Sequence, residues 1–401
     1  MAVGTANSDF KTVRGVRLAS VACGIKKSGG DDLVLMEFAE GSVAAGVFTK
    51  SLFAAAPVQI GRRHLDQAPT RYFLINSGNA NAAVGSAGIA DAVECCNSLS
   101  RLAGVAPEAV IPFSTGVIGE RLPVKKITAV LGDLLRALSE SHWLRAARGI
   151  MTTDTRPKVA SRQREIGGTT VTVTGIAKGA GMIQPNMATL LCYMATDATC
   201  KRQALQALLQ EAVDRSFNRI TVDSDTSTND SCMLVATGAS GVDVSSGDAS
   251  ETFRDMLGEV ALELAQGIIR DAEGATKFVE VVVLHGATSE VCLAIAYAIA
   301  NSPLMKTALF ASDANWGRIV MAIGKANVAI DVGKLDVYLG DVQLMASGEK
   351  HPGYTEEAGA AVMSSDEITI TVDLNEGTCT ETVWTSDLSH EYVRINAEYR
   401  T

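Results

Sequence analysis

The run Asn186-Met187-Ala188-Thr189-Leu190-Leu191 places a threonine at the head of an apolar, strand-like segment, directly after a small residue. That arrangement suits a nucleophile made by chain cleavage. A threonine that becomes N-terminal carries its own base, because its α-amino group titrates at about 7.7–8.0 and can take the hydroxyl proton near neutrality. Such chemistry needs no histidine, and this chain has only five. His64, His142 and His285 sit in settings that read as structural. The sequence has no GxSxG elbow, no GxxxxGK[ST] loop and no HExxH helix. Lys178-Gly179-Ala180-Gly181 follows a strand-like run but lacks the third glycine of a dinucleotide fingerprint. A threonine opening an apolar strand is ordinarily only a strand residue, so the pattern needs support from elsewhere.

The elements that must position such a residue are legible as alternating types. Strand-like runs rich in Val, Ile, Thr and aromatics occur at 33–38, 72–76, 110–113, 169–176, 190–194, 220–223, 232–236, 278–284, 327–332 and 368–374. Helical period links Ile127, Leu131, Leu134 and Leu138, then Leu205, Leu208, Leu209 and Val213, then Phe253, Met256, Leu257, Val260, Leu264 and Ile268. The interleaving indicates a layered α/β or α+β architecture. Composition shifts near Gly274–Phe278, which puts a catalytic core at 1–280 and a C-terminal lobe at 281–401.

The 401 residues, 47% of them hydrophobic, suffice for a well-buried core. Lys plus Arg number 35 and Asp plus Glu 45, and the net charge of −10 is spread without blocks, which argues against a nucleic-acid or anionic-membrane partner. The longest apolar stretch, Val291–Ala300, is about half a bilayer span. The N-terminus lacks a secretory pattern, so a cytoplasmic protein is expected. The eight cysteines show no CxxC pair and read as reduced, mostly buried thiols; no histidine pair has metal-ligand spacing, so no metal is expected.

The support for Thr189 comes from the segment that precedes it, Lys178-Gly179-Ala180-Gly181-Met182-Ile183-Gln184-Pro185-Asn186-Met187-Ala188-Thr189. It resembles the processing motif of the ornithine acetyltransferase, or glutamate N-acetyltransferase, family of arginine biosynthesis. The likeness extends through Gly46–Thr49, Asn76–Asn81, Ser114–Gly119, Met151–Thr155, Asp223–Asp230, Asp313–Arg318 and Tyr392–Asn396, in the family's order. It implies cleavage between Ala188 and Thr189 into chains 1–188 and 189–401, with an αββα-type core, a smaller C-terminal α/β lobe and a heterotetramer of two copies of each processed chain.

By the same resemblance, Thr189 is the nucleophile of both cleavage and transfer. Thr115 and Gly116 form the oxyanion hole through a hydroxyl and a backbone N–H. Thr155, Lys178, Thr189, Glu273, Asn396 and Thr401 contact substrate, with Lys178 suited to a carboxylate and Glu273 to the ornithine ammonium. The implied reaction moves acetyl from N2-acetylornithine to glutamate by ping-pong kinetics. It needs no cofactor, and acetyl-CoA is an alternative acetyl donor in part of the family. Water in place of glutamate would give aminopeptidase-type hydrolysis, another acetylated donor a specialised transferase, and an uncleaved chain a small-molecule-binding protein. Asn76–Asn81 and Asp223–Asp230 read equally as turn chemistry, and Asp313–Arg318 as a helix start with Trp316 as an anchor. Ala272 stands where the family commonly has glycine, which bears on the placement of Glu273.

Overall fold

The computed structural model describes residues 3–4, 9–27, 29–184 and 190–398. The chain divides into two units: Ala6–Asn218 with Asp225–Ile268, and Met1–Thr5 with Arg219–Ser224 and Ile269–Thr401.

In the first unit, β1 (Val16–Val21), β2 (Leu33–Phe38), β4 (Tyr72–Asn79) and β5 (Val110–Val117) form one sheet in that order. A second sheet runs β3 (Val43–Phe48), β10 (Ser231–Ala236), β8 (Leu191–Thr196), β7 (Thr169–Lys178) and β6 (Lys158–Ile166). The sheets share one core, in which Phe73 of β4 and Phe113 of β5 meet Tyr193 of β8, with ring centroids 5.8 and 5.0 Å away. Strand β2 shows why alternation is absent here: Val34, Met36 and Phe38 enter that core, while Leu33 and Leu35 enter another on the opposite face. The opposite face is covered by α2 (Gly85–Ala103) and α3 (Val124–Arg136), through Cys95, Leu99, Ile127, Leu131 and Leu134.

Beneath the other sheet lie α5 (Arg202–Asp214), against β3 and β10, and α6 (Gly247–Arg270). On β7, Gly175 leaves room for Leu264 and Val260 of α6. The layers are therefore helix, sheet, sheet, helix, as the resemblance implies. Helices α1 (Ala56–Gln67) and α4 (Trp143–Gly149) add Val58, Leu65, Trp143 and Ala146 to the inter-sheet core.

The second unit is built on a sheet ordered β14 (Glu349–Lys350), β13 (Val342–Ala346), β12 (Asp336–Leu339), β15 (Glu367–Asp373), β11 (Phe278–Gly286), β16 (Cys379–Ser386) and β9 (Ile220–Thr221). Val279, Val281 and Val283 of β11, with Ile368, Ile370 and Val372 of β15, bury one face against α7 (Ser289–Ala300), α8 (Pro303–Phe310), α9 (Trp316–Gly324) and α10 (Glu356–Met363). Thr288, Ser302 and Thr355 cap α7, α8 and α10 by accepting a backbone N–H. The chain ends in α11 (His390–Ala397). Trp316 is the first residue of α9 and packs on this core, so the Asp313–Arg318 motif is both a helix start and an anchor.

Two expectations differ from the structure. The division falls at Ile269 rather than after residue 280, because β11 is an interior strand of the second sheet and the chain leading into it goes with that unit. Residues 327–332 are not a strand. Val328 and Ile330 are half-buried and pack against the core, but Asn327 is left-handed (φ 55°) and Asp331 caps a 3-10 turn at Val332–Lys334, so the alternation has no ladder partner. Among the described residues, no single helix is long and apolar enough to cross a membrane.

Candidate active site

Strands β4 and β5 run parallel, with Ser77 opposite Thr115 and Gly78 opposite Gly116, and the pairing becomes irregular at Asn79. Gly116 has φ 134°, and a Cβ there would lie 2.3 Å from the carbonyl carbon of Gly78 and 2.5 Å from the Asn79 nitrogen. Only glycine fits this approach. Thr115 is buried, and its hydroxyl oxygen accepts from Lys178 Nζ at 3.1 Å. Accepting from an ammonium leaves the threonine O–H to act as a donor, and polarises it.

The asparagine-rich loops are braces for this point. Asn229 donates to the carbonyls of Ala80 at 2.6 Å and Ser114 at 2.8 Å, beside Thr115. Ser114 donates to Asn76 Oδ1 at 2.6 Å, Asn76 Nδ2 donates to the Asn79 carbonyl at 2.8 Å, and Asn79 donates to the carbonyls of Glu120 and Arg121. Their turn-forming composition is real, but the side chains are spent on fixing the ends of β4 and β5.

Lys178 is the last residue of β7 and pairs with Leu191 of β8, so the segment between them emerges from an antiparallel pair. Its first residue, Gly179, donates its N–H to Asp154 Oδ1 at 2.8 Å and accepts from Lys158 Nζ at 3.2 Å through its carbonyl. Asp154 and Lys158 are themselves an ion pair, with side chains 0% and 3% exposed. Burial alone would raise the Asp154 pKa, but the charges of Lys158 and Lys178, with the Gly179 N–H, hold it well below the usual carboxylate range. Thr155, next in the chain, is exposed. Ala188 and Thr189 lie outside the described residues, as does Thr401.

Cys192, next to Leu191 at the start of β8, is opposite Cys232 of β10 and fully buried. Burial, with Cys232 beside it, pushes its thiol pKa far up, which makes it a core residue and a poor nucleophile. His64 is also buried, with Nδ1 2.7 Å from the Val110 carbonyl, in line with a structural role.

The remaining site residues belong to the second unit. Glu273 follows α6, is 8% exposed, and accepts from Asn396 Nδ2 of α11 at 2.7 Å through Oε2. Ser389 caps α11 and donates to the Gly274 carbonyl at 2.6 Å. Gly274 is left-handed (φ 69°), and a Cβ there would lie 2.6 Å from the Tyr392 nitrogen. Asp387 accepts from the Thr276 N–H at 2.8 Å, the Thr276 hydroxyl at 2.7 Å and the Lys277 N–H at 3.0 Å. Lys306, whose pKa burial brings down to about 8, donates to Thr385 Oγ1 at 2.8 Å and to the Ser386 carbonyl. Ala272 is buried but not left-handed, so its methyl imposes no backbone strain; the glycine this turn requires is Gly274.

The structure thus joins Lys178 to Thr115 in one unit and Glu273 to Asn396 in the other. Sequence reasoning passed over Asp154, Lys158, Asn229, Asp387 and Ser389. Each acts on backbone groups far along the chain, which no local spacing reveals.

Comparison with known proteins matches residues 17–401 to the ArgJ family, a span that contains every candidate site residue. The chain belongs to the ArgJ family. The arginine biosynthesis bifunctional protein ArgJ of Pseudomonas fluorescens (strain Pf0-1) is 52% identical over 393 residues, covering 97% of each chain. Its counterpart in Pseudomonas syringae pv. tomato is 53% identical over the same share of both chains. The crystal structure of an arginine biosynthesis bifunctional protein ArgJ from Bacillus halodurans is 37% identical; the match covers 50% of this chain and 95% of that one, with a TM-score of 0.49. Membership in ArgJ agrees with the resemblance carried by the segment 178–189.

Proposed function

We propose that this chain cleaves itself between Ala188 and Thr189 and then transfers the acetyl group of N2-acetylornithine to glutamate, releasing ornithine and N-acetylglutamate. The near-full-length identity to arginine biosynthesis bifunctional proteins carries this reading. Both reactions are acyl transfers to one hydroxyl. In cleavage, Thr189 Oγ1 attacks the Ala188 carbonyl, the amide shifts to an ester, and water hydrolyses it. In transfer, the exposed α-amine takes the hydroxyl proton, the amide of acetylornithine is attacked, and ornithine leaves. Glutamate then attacks the acetyl ester.

Each attack passes through an oxyanion. The Thr115 hydroxyl and the Gly116 N–H are the donors assigned to it, and the Lys178 contact to Thr115 supports that assignment. The charge of Lys178 also favours a substrate carboxylate. Glu273, oriented by Asn396, is suited to the ornithine ammonium. Acetyl-CoA as a second donor accords with the word bifunctional in the relatives' names, and the processed chains are proposed to assemble as two copies of each in the cytoplasm.

Glu273→Gln keeps the shape of this group and removes its charge. It is expected to raise KM for N2-acetylornithine at least tenfold, because a charge-assisted hydrogen bond is worth about 1.5–3 kcal/mol, with a much smaller effect on KM for glutamate; initial rates at varied concentrations of each substrate check it.

The function itself is tested with acetyl-labelled N2-acetylornithine. Label appearing in N-acetylglutamate, with parallel double-reciprocal lines, supports the proposal. Release of labelled acetate at a rate indifferent to glutamate would replace it with hydrolysis.

A further inference from the structure

We infer that the buried Asp154–Lys158 pair is a positioning device for the reacting segment, holding Lys178 and the start of the chain that leads to the scissile bond. The inference rests on the proposed function. One carboxylate joins two stretches of sequence: Oδ1 accepts the Gly179 N–H, while Oδ2 accepts the Thr152 N–H at 3.0 Å. Those stretches carry Lys178 and Thr155, which with Thr189 are the residues of this unit assigned to substrate. Lys158 completes the hold by donating to the Gly179 carbonyl, so both polar groups of a single residue are fixed by one ion pair.

A glycine at the end of a strand is otherwise the most permissive point in the backbone. Lys178, directly before it, touches the Thr115 hydroxyl. A shift of Gly179 therefore moves Lys178 and its contact with the oxyanion-hole hydroxyl, which both cleavage and transfer use.

A buried ion pair is a weak source of net stability. Withdrawing two charges from water costs several kcal/mol per ion, and well-packed apolar residues commonly do as well or better. What apolar residues cannot do is hold an N–H and a carbonyl in place.

Two variants test this in the full chain: Asp154→Asn, and the double change Asp154→Leu with Lys158→Met, which leaves no lone buried charge. The readouts are the first-order rate of self-cleavage, kcat and KM for transfer, and the melting temperature. A misplacement of about 1 Å can cost on the order of 100-fold. The expected result for the double variant is a roughly 10- to 100-fold slower cleavage and a matching fall in kcat at temperatures well below its melting transition, where the chain is still folded. Wild-type kcat and cleavage in the double variant would overturn the inference, and so would a loss that only follows a fall in melting temperature. Wild type run alongside keeps the two claims apart: a wild type that neither cleaves nor transfers defeats the proposed function, whereas an active wild type beside equally active variants defeats the positioning role alone.

Discussion

Thr189→Ala leaves the chain whole and reduces acetyl transfer by on the order of 10⁴-fold or more. The expectation follows from one hydroxyl serving two reactions. Without Oγ1 nothing attacks the Ala188 carbonyl, the α-amine that would act as base is never released, and no acetyl ester can form. Thr189→Ser separates the requirements. It keeps a hydroxyl and loses only a methyl, so it should still cleave and still transfer, more slowly in both. The base adds a pH signature: with a free α-amine near 7.7–8.0, transfer in wild type should fall as pH drops below about that range, because the protonated amine cannot accept the hydroxyl proton. Gel electrophoresis under denaturing conditions reports cleavage, and stopped assays across pH report transfer.

Gly116→Ala comes next in size, with kcat expected to fall roughly 10²- to 10³-fold, the loss typical of removing one oxyanion donor. The new methyl cannot be seated beside Gly78, where it would lie 2.3 Å from a backbone carbon, so β5 must move away from β4 and carry the residue 116 N–H with it. Thr115→Val removes the other donor without that collision and should cost a similar factor. Thr115→Ser should retain most activity, since its hydroxyl can still accept from Lys178 and donate onward. Self-cleavage should slow in the same order, because its tetrahedral intermediate needs the same donors. Equal losses in cleavage and transfer across the three variants are the pattern to look for, measured by time-resolved mass analysis and by initial rates.

Much of the layered architecture was legible because its burial is strong and periodic. The run Leu33–Phe38 coincides with β2, and the stripes of α3, α5 and α6 appear as leucines, isoleucines and phenylalanines at helical spacing. Helix α2 was not legible: Gly85, Ser86 and Gly88 open it without a cap hydrogen bond, and its buried face is largely Ala, Cys and Ser. Strand β6 was hidden by charge, since Arg162 and Arg164 read as surface residues. They reach Glu259 of α6, an ion-pair pattern visible only once strand and helix are side by side.

The candidate site divides in the same way. Asp154 stood inside a motif that drew attention to Thr155, yet its work is on Gly179, 25 residues later. Glu273 and Asn396 are 123 residues apart, and neither periodicity nor composition relates them. Family resemblance named both residues without relating them, and folding explains why they meet: the Gly274 turn admits the N-terminal end of α11 with no Cβ in the way, and Ser389 ties the two backbones together.

Intact-mass analysis under denaturing conditions, with N-terminal sequencing of the freshly purified wild-type chain, tests the central claim most directly. Two chains are expected, spanning residues 1–188 and 189–401, the second beginning Thr-Leu-Leu-Cys-Tyr. A single uncut chain of 401 residues that nonetheless transfers acetyl from N2-acetylornithine to glutamate would contradict that claim, since no free threonine amine would then exist to act as the base.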